Sequence, residues 1–283
     1  MVGPSWNKYL SLNQISLRHE RPITFVLSQW QIDQNTVNVK YCIFRTCMFI
    51  TFFVSWVFSI VNEKTYDGST KWPIYLTNWG FTICMIQALL ACIMLTVCCV
   101  TRKKQWQDSV LKIYPVYWLL NVVATPVAFT ITVIYWSLIY NAEHASLDAM
   151  NFLVHGVNSL LMLLDLLVVA HPVKIFHFLY PLALSLIYAI FTYVYFISGG
   201  LSKDGTRYIY PIIKWDKPGT TSLVCLGVMV FLIVLHLFTF GMFKLRIRTY
   251  EFIFTRRRPS SSPKSPSLGL KAYENSALTT ETV

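Results

Sequence analysis

Six long apolar runs dominate this chain, at 41–61, 74–100, 114–140, 151–170, 173–198 and 221–245. Each reaches the roughly 20 residues that a helix needs to cross the hydrocarbon core of a bilayer. In hydrocarbon a segment must satisfy its own backbone N–H and C=O groups, which a helix does within itself. The runs therefore predict an all-α integral membrane protein, a bundle of about six transmembrane helices. Composition agrees: 55% of the 283 residues are hydrophobic and only 13% are charged. A soluble domain of this size rarely has that balance.

Three regions follow. Residues 1–40 are mixed and polar, with no continuous apolar stretch that reads as a cleavable signal, so the first run is expected to act as the insertion signal. Residues 41–245 form the membrane domain. Residues 246–283 read as a disordered cytoplasmic tail, basic and rich in serine and proline. Between the fourth and fifth runs stand only His171 and Pro172, which predicts a tight helical hairpin. Pro126 inside the third run predicts a kink.

The net charge of +11 has two explanations, nucleic-acid binding or loop asymmetry across a membrane. The basic residues cluster beside apolar runs and in the tail, which favours the second and excludes a nucleic-acid partner. With six spans, 18 of the 24 Lys and Arg fall on the side of the termini, among them Arg45 at the edge of the first run, Lys103, Lys104, Lys174 and Arg246. Both termini are thus expected in the cytoplasm. In the tail, Arg256-Arg257-Arg258 is either a contact for anionic lipid, weakened by phosphorylation at Ser262 or Ser265, or a retention or topology signal. The carboxyl-terminal Val283 is a weak candidate for a PDZ-type groove, because Glu281 stands where the usual motif has Ser or Thr.

Seven cysteines lie in or beside apolar runs without C-x-x-C spacing, so neither a disulfide scaffold nor a zinc site is expected. Cys98 and Cys99 close the second run just before Arg102-Lys103-Lys104; palmitoylation or plain buried thiols are the alternatives there. No phosphate loop, zincin or nucleophile-elbow motif occurs, and no cofactor is expected.

Polar groups inside the runs are the candidate chemistry. At about 100° per residue, His155, Asn158 and Asp165 share a stripe about 80° wide on the fourth helix. Such a stripe points at other helices rather than at lipid. His155 is either a general base or proton shuttle, or one part of structural polar glue with Asn158 and Asp165. On the second run, Thr77 shares a face with Cys84 and Gln87; back-bonding to its own helix is the plain alternative to a chemical role. The aromatic, turn-rich stretch 199–219 lies on the outer side, either as an ordered re-entry loop or as a partner surface.

Three motifs in order carry a resemblance: Lys71-Trp72-Pro73-Ile74-Tyr75-Leu76-Thr77, His171-Pro172-Val173-Lys174 through Tyr180-Pro181, and Tyr208-Ile209-Tyr210-Pro211 through Trp215-Asp216-Lys217-Pro218-Gly219. From about residue 5 to 250 the chain resembles the rolling stone family of insect membrane proteins, associated with myoblast fusion. The resemblance implies a multi-span plasma-membrane protein, non-catalytic, acting in cell fusion or adhesion.

More distantly, the chain is similar to the androgen-induced family of membrane hydrolases. Those cleave fatty-acid esters of hydroxy fatty acids with an intramembrane threonine and a histidine. That resemblance implies a lipid substrate, with Thr77 as nucleophile. The family's His-Gly-x-His motif reads His155-Gly156-Val157-Asn158 here. Asparagine cannot take a proton at neutral pH, so His155 would have to serve as base from one turn away. Transport is a third option for six spans around a polar stripe, although no internal repeat is visible.

Overall fold

A computed structural model describes residues 14–66, 70–101, 103–140 and 149–255. Its helices are α1 (Val39–Tyr66), α2 (Leu76–Val100), α3 (Lys104–Leu111), α4 (Tyr114–Ile134), α5 (Ala149–Phe152), α6 (Asn158–Val168), α7 (Leu179–Ile197) and α8 (Pro218–Thr255). A π-helical turn, Tyr135–Ile139, extends α4, and another, Leu153–Val157, joins α5 to α6. The tail expectations at Arg256–Arg258, Ser262, Ser265 and Val283 fall outside the described residues.

Five stretches are long and apolar enough to cross a membrane: Val39–Thr65, Leu76–Val100, Tyr114–Ile139, Ile175–Ile197 and Pro218–Phe254. The fourth expected run is the exception. Its apolar helix, Leu153–Val168, rises only about 24 Å, against a hydrocarbon core of about 30 Å. The helix stops because Val169 turns extended and forms an antiparallel bridge with Ser28. The amide of Gln29 donates to the Val168 carbonyl at 2.8 Å, and that of Ala170 to the Leu27 carbonyl at 3.1 Å.

This corrects the expected hairpin at His171-Pro172. The chain runs extended from Val169, makes a 3₁₀ turn at Ile175–Phe178, and becomes α7 only at Leu179. Pro172, unable to donate from its nitrogen, still accepts the Trp118 indole N–H at 3.0 Å. At Pro126 the chain remains helical, and Thr130 donates its hydroxyl to the Pro126 carbonyl at 2.8 Å.

The polar amino-terminal region is folded onto one end of the bundle. Phe25, Val26 and Leu27 are buried. Phe25 stacks on Tyr114 and on His171, with ring centroids 4.7 and 5.3 Å away. The Trp30 indole N–H donates to the Leu167 carbonyl at 2.8 Å. This end of the core is therefore assembled from α1, α2, α4 and the amino-terminal segment.

Helices α2 and α4 approach closely at Gly80, where a Cβ would stand 2.6 Å from Ile131 Cδ1. Elsewhere large apolar side chains point outward, among them Val54 on α1, Ile187 on α7 and Leu223 on α8. An apolar exterior over a polar interior is what hydrocarbon solvent favours.

Candidate functional site

Two polar regions lie between the helices, and they are built differently. The first is centred on Asp165 of α6. Arg45 of α1 forms an ion pair with it, both side chains buried. One turn earlier on α1, the Tyr41 hydroxyl accepts from Arg45 Nε at 2.9 Å. Tyr117 of α4 accepts from Arg45 Nη2 at 2.7 Å, and Asn121 Nδ2 donates to the second Asp165 oxygen at 2.7 Å. The Tyr117 hydroxyl also meets His171 Nε2 at 3.1 Å. Arg246 of α8 donates to the carbonyls of Leu166 at 2.5 Å and His171 at 2.8 Å.

Both carboxylate oxygens and all three guanidinium nitrogens of Arg45 thus have partners. A buried ion pair persists only when its remaining hydrogen-bonding capacity is satisfied in this way. Asp165 is therefore a structural anchor joining α1, α4 and α6.

Arg45, expected at the edge of the first run, and Arg246, expected in the tail, are both almost fully buried. Lys174 likewise packs inward, its ammonium 5.0 Å from the Trp118 ring and 2.6 Å from the Ser16 carbonyl. The signal for Arg45 was present in the sequence: a cation one turn from Tyr41 on an apolar helix, with Asp165 on another. Only the helix arrangement pairs them.

The second region is a cavity of about 470 Å³ at the opposite end of the bundle. It gathers Thr77 from the first turn of α2 and His155 from the π turn before α6, with Tyr75, Glu63, Asn151 and Tyr210. The His155 ring lies flat on Tyr135, centroids 3.4 Å apart and planes 6° from parallel. Tyr135 donates its hydroxyl to Asn151 Oδ1 at 2.8 Å. His155 Nδ1 has no hydrogen-bond partner among the described residues.

Thr77 is hydrogen-bonded to Tyr210 of the loop that follows α7. It also borders a smaller apolar pocket of about 70 Å³ with Leu76, Ile131, Tyr188, Cys225 and Val228. Thr77 thus stands between a polar chamber and an apolar slot. Tyr75, beside it, has its phenol pushed up to about 12, chiefly by burial.

The stripe expected on one helix face therefore serves three surroundings. His155 faces the cavity, and Asp165 is locked to Arg45 and Asn121. Asn158 is buried, with neither amide atom hydrogen-bonded among the described residues. The π turn at Leu153–Val157 breaks the 3.6-residue period on which the single-face expectation rested. Gln87, predicted beside Thr77, is deeper, near Asn121 and the Met162 sulfur.

The arrangement at Thr77 and His155 can bind an amphiphile, polar end in the chamber and apolar end in the slot. Proton transfer would require the face of His155 that lines the cavity to reach a group held at Thr77.

The sequence pattern of the family described as "Rost: Protein rolling stone" matches residues 2–261. Protein rolling stone of Drosophila melanogaster is 29% identical over 255 residues, 86% of this chain and 90% of that protein. No solved structure matches.

Proposed function

The chain belongs to the rolling stone family, and on that premise we propose a six-span plasma-membrane protein that acts in cell–cell fusion or adhesion without catalysis. Leu153–Val168 completes the sixth crossing, lengthened by the preceding turn of α5. Both termini lie in the cytoplasm, where Arg256–Arg258 meets anionic lipid. The observation that supports a non-catalytic role is the buried Arg45–Asp165 pair, because the most heavily charged part of the interior is fully engaged in holding helices together. The aromatic loop between α7 and α8 is the outward-facing recognition surface, its Trp215 tied to Thr192 at 3.1 Å.

The test is a two-colour cell-mixing assay in fusion-competent muscle precursor cells depleted of the protein. Fusion should fall on depletion and return with wild type and with Thr77→Ala. Rescue by wild type but not by Thr77→Ala would sink the non-catalytic reading.

A second reading, hydrolysis of fatty-acid esters of hydroxy fatty acids, is favoured by one observation: Thr77 and His155 line the same cavity. Thr77 Oγ1 would attack the ester carbonyl while His155 takes its proton and passes it to the hydroxyl oxygen of the hydroxy fatty acid as that C–O bond breaks; water would then cleave the acyl-threonine, the acyl chain lying in the apolar slot. A fluorophosphonate probe separates the two readings. Labelling of wild type that disappears in Thr77→Ala supports the enzyme; equal labelling of both excludes Thr77 as nucleophile.

A further inference from the structure

We propose that Cys99, with Cys42 beside it, is a site of reversible S-acylation by a long-chain fatty acid. The inference rests on the cytoplasmic placement of the α2–α3 end proposed above. Cys98 and Cys99 are adjacent, so on a helix their side chains point about 100° apart. Cys98 is buried and belongs to the core with Val110 and Trp118. Cys99 is partly exposed, and its thiol is hydrogen-bonded to that of Cys42, also partly exposed, on α1. Cys42 Sγ lies 4.0 Å from Thr96 Oγ1, which places it on the seam between α1 and α2. Both cysteines are free thiols.

The segment after Cys99 has the character of a membrane interface. Val100 is 78% exposed at the last turn of α2, and Trp106 on α3 is 61% exposed. Lys103 and Lys104 are exposed between them. Gln107 Nε2 donates to the Thr101 carbonyl at 2.9 Å, tying α3 to the end of α2. An exposed indole and two lysines mark the depth where hydrocarbon gives way to anionic headgroups. A thiol one turn above that level is within reach of a cytoplasmic acyl donor, and an attached chain enters lipid beside Ile43 and Ile93, both exposed.

The donor class is a long-chain acyl thioester of coenzyme A. The Cys99 sulfur attacks the thioester carbonyl, and a new C–S bond forms as the bond to the carrier sulfur breaks. The cysteine proton ends on the released carrier thiol, and nothing is oxidised or reduced.

The test uses the full chain expressed in animal cells. Free thiols are blocked, hydroxylamine is applied, and newly freed thiols are captured. Capture should be lost in the Cys42→Ser/Cys99→Ser double variant and kept in Cys98→Ser and Cys225→Ser. Independently of any variant, the wild-type intact mass should exceed the chain mass by acyl groups that hydroxylamine removes. Undiminished capture in the double variant, or an unmodified wild-type mass, overturns the assignment. Topology is read in the same cells with a membrane-impermeant maleimide on a cysteine introduced at Lys104. Protection of Lys104→Cys in intact cells together with an absent thioester defeats the acylation alone. Labelling of Lys104→Cys from outside defeats the topology on which it rests.

Discussion

The polar cluster around Asp165 and the cavity at Thr77 use the same kinds of side chain to opposite ends. Around Asp165 both carboxylate oxygens and all three guanidinium nitrogens of Arg45 find partners, and the helices are locked together, while at its edge His171 Nδ1 and Arg246 Nε have none among the described residues. At the cavity His155 lines open space, while its buried Nδ1 has no hydrogen-bond partner among the described residues. A closed, satisfied network contributes rigidity; an open, unsatisfied one retains the capacity to bind or react. Ionisable residues between these helices are therefore of two kinds, told apart by what they face: Asp165 and Arg45 face each other, and His155 lines a cavity.

The comparison can be broken first at Asp165. Asp165→Ala leaves the Arg45 guanidinium buried without its counter-charge, a loss of about 3–5 kcal/mol. Thermal unfolding in detergent should record it, and Arg45→Met with Asp165→Leu should recover most of the loss. Wild-type stability in Asp165→Ala would show that the pair is not an anchor.

Acid probes the same end of the molecule. His19 is held down to about 4, mainly by burial and also by the nearby positive charge of Lys174. Its folded value lies below its unfolded value of 6.5, so between the two the unfolded chain binds more protons. Stability is retained above the unfolded value and falls with decreasing pH until about 4, by up to about 3 kcal/mol. In His19→Gln the slope of unfolding free energy against pH between those values should be shallower.

Gly80→Ala tests the α2–α4 contact. A methyl group there would meet Ile131 Cδ1, the far end of a side chain that can turn aside, and press on Val127 Cγ1, so the strain is at the low end of overpacking, about 1 kcal/mol. Pairing it with Ile131→Val should relieve part of the loss, and additive losses in the double variant would place the strain elsewhere. A similarly small effect is expected at the cavity. His155→Ala removes a ring whose packing partner is Tyr135, worth about 0.5–1.5 kcal/mol of stability. If His155→Ala unfolds the protein as severely as Asp165→Ala, the division between anchor and open site fails.

Much of the fold was legible in the sequence because bilayer-length hydrophobicity is a local property. The expected runs at 41–61, 74–100, 114–140, 173–198 and 221–245 each coincide with a helix able to span. The run at 151–170 was less legible, because its helix is shortened by a strand-like pairing with Ser28, 141 residues earlier than Val169 in the chain (169 − 28). The amino-terminal region reads as mixed and polar, and Phe25 and Trp30 bind it to the bundle. No local pattern announces a contact whose two halves are so far apart.

The sequence alone determined the helical class and the family resemblance, and it singled out Thr77 and His155 as candidates for chemistry. These follow from hydropathy, spacing and side-chain type, which need no knowledge of neighbours. Only the tertiary structure decided that Arg45 answers Asp165, that buried Asn158 has no hydrogen-bond partner among the described residues, and that Cys99 rather than Cys98 faces outward. Pairing and facing depend on how helices are set against one another, and a π turn or a lost turn of helix changes both.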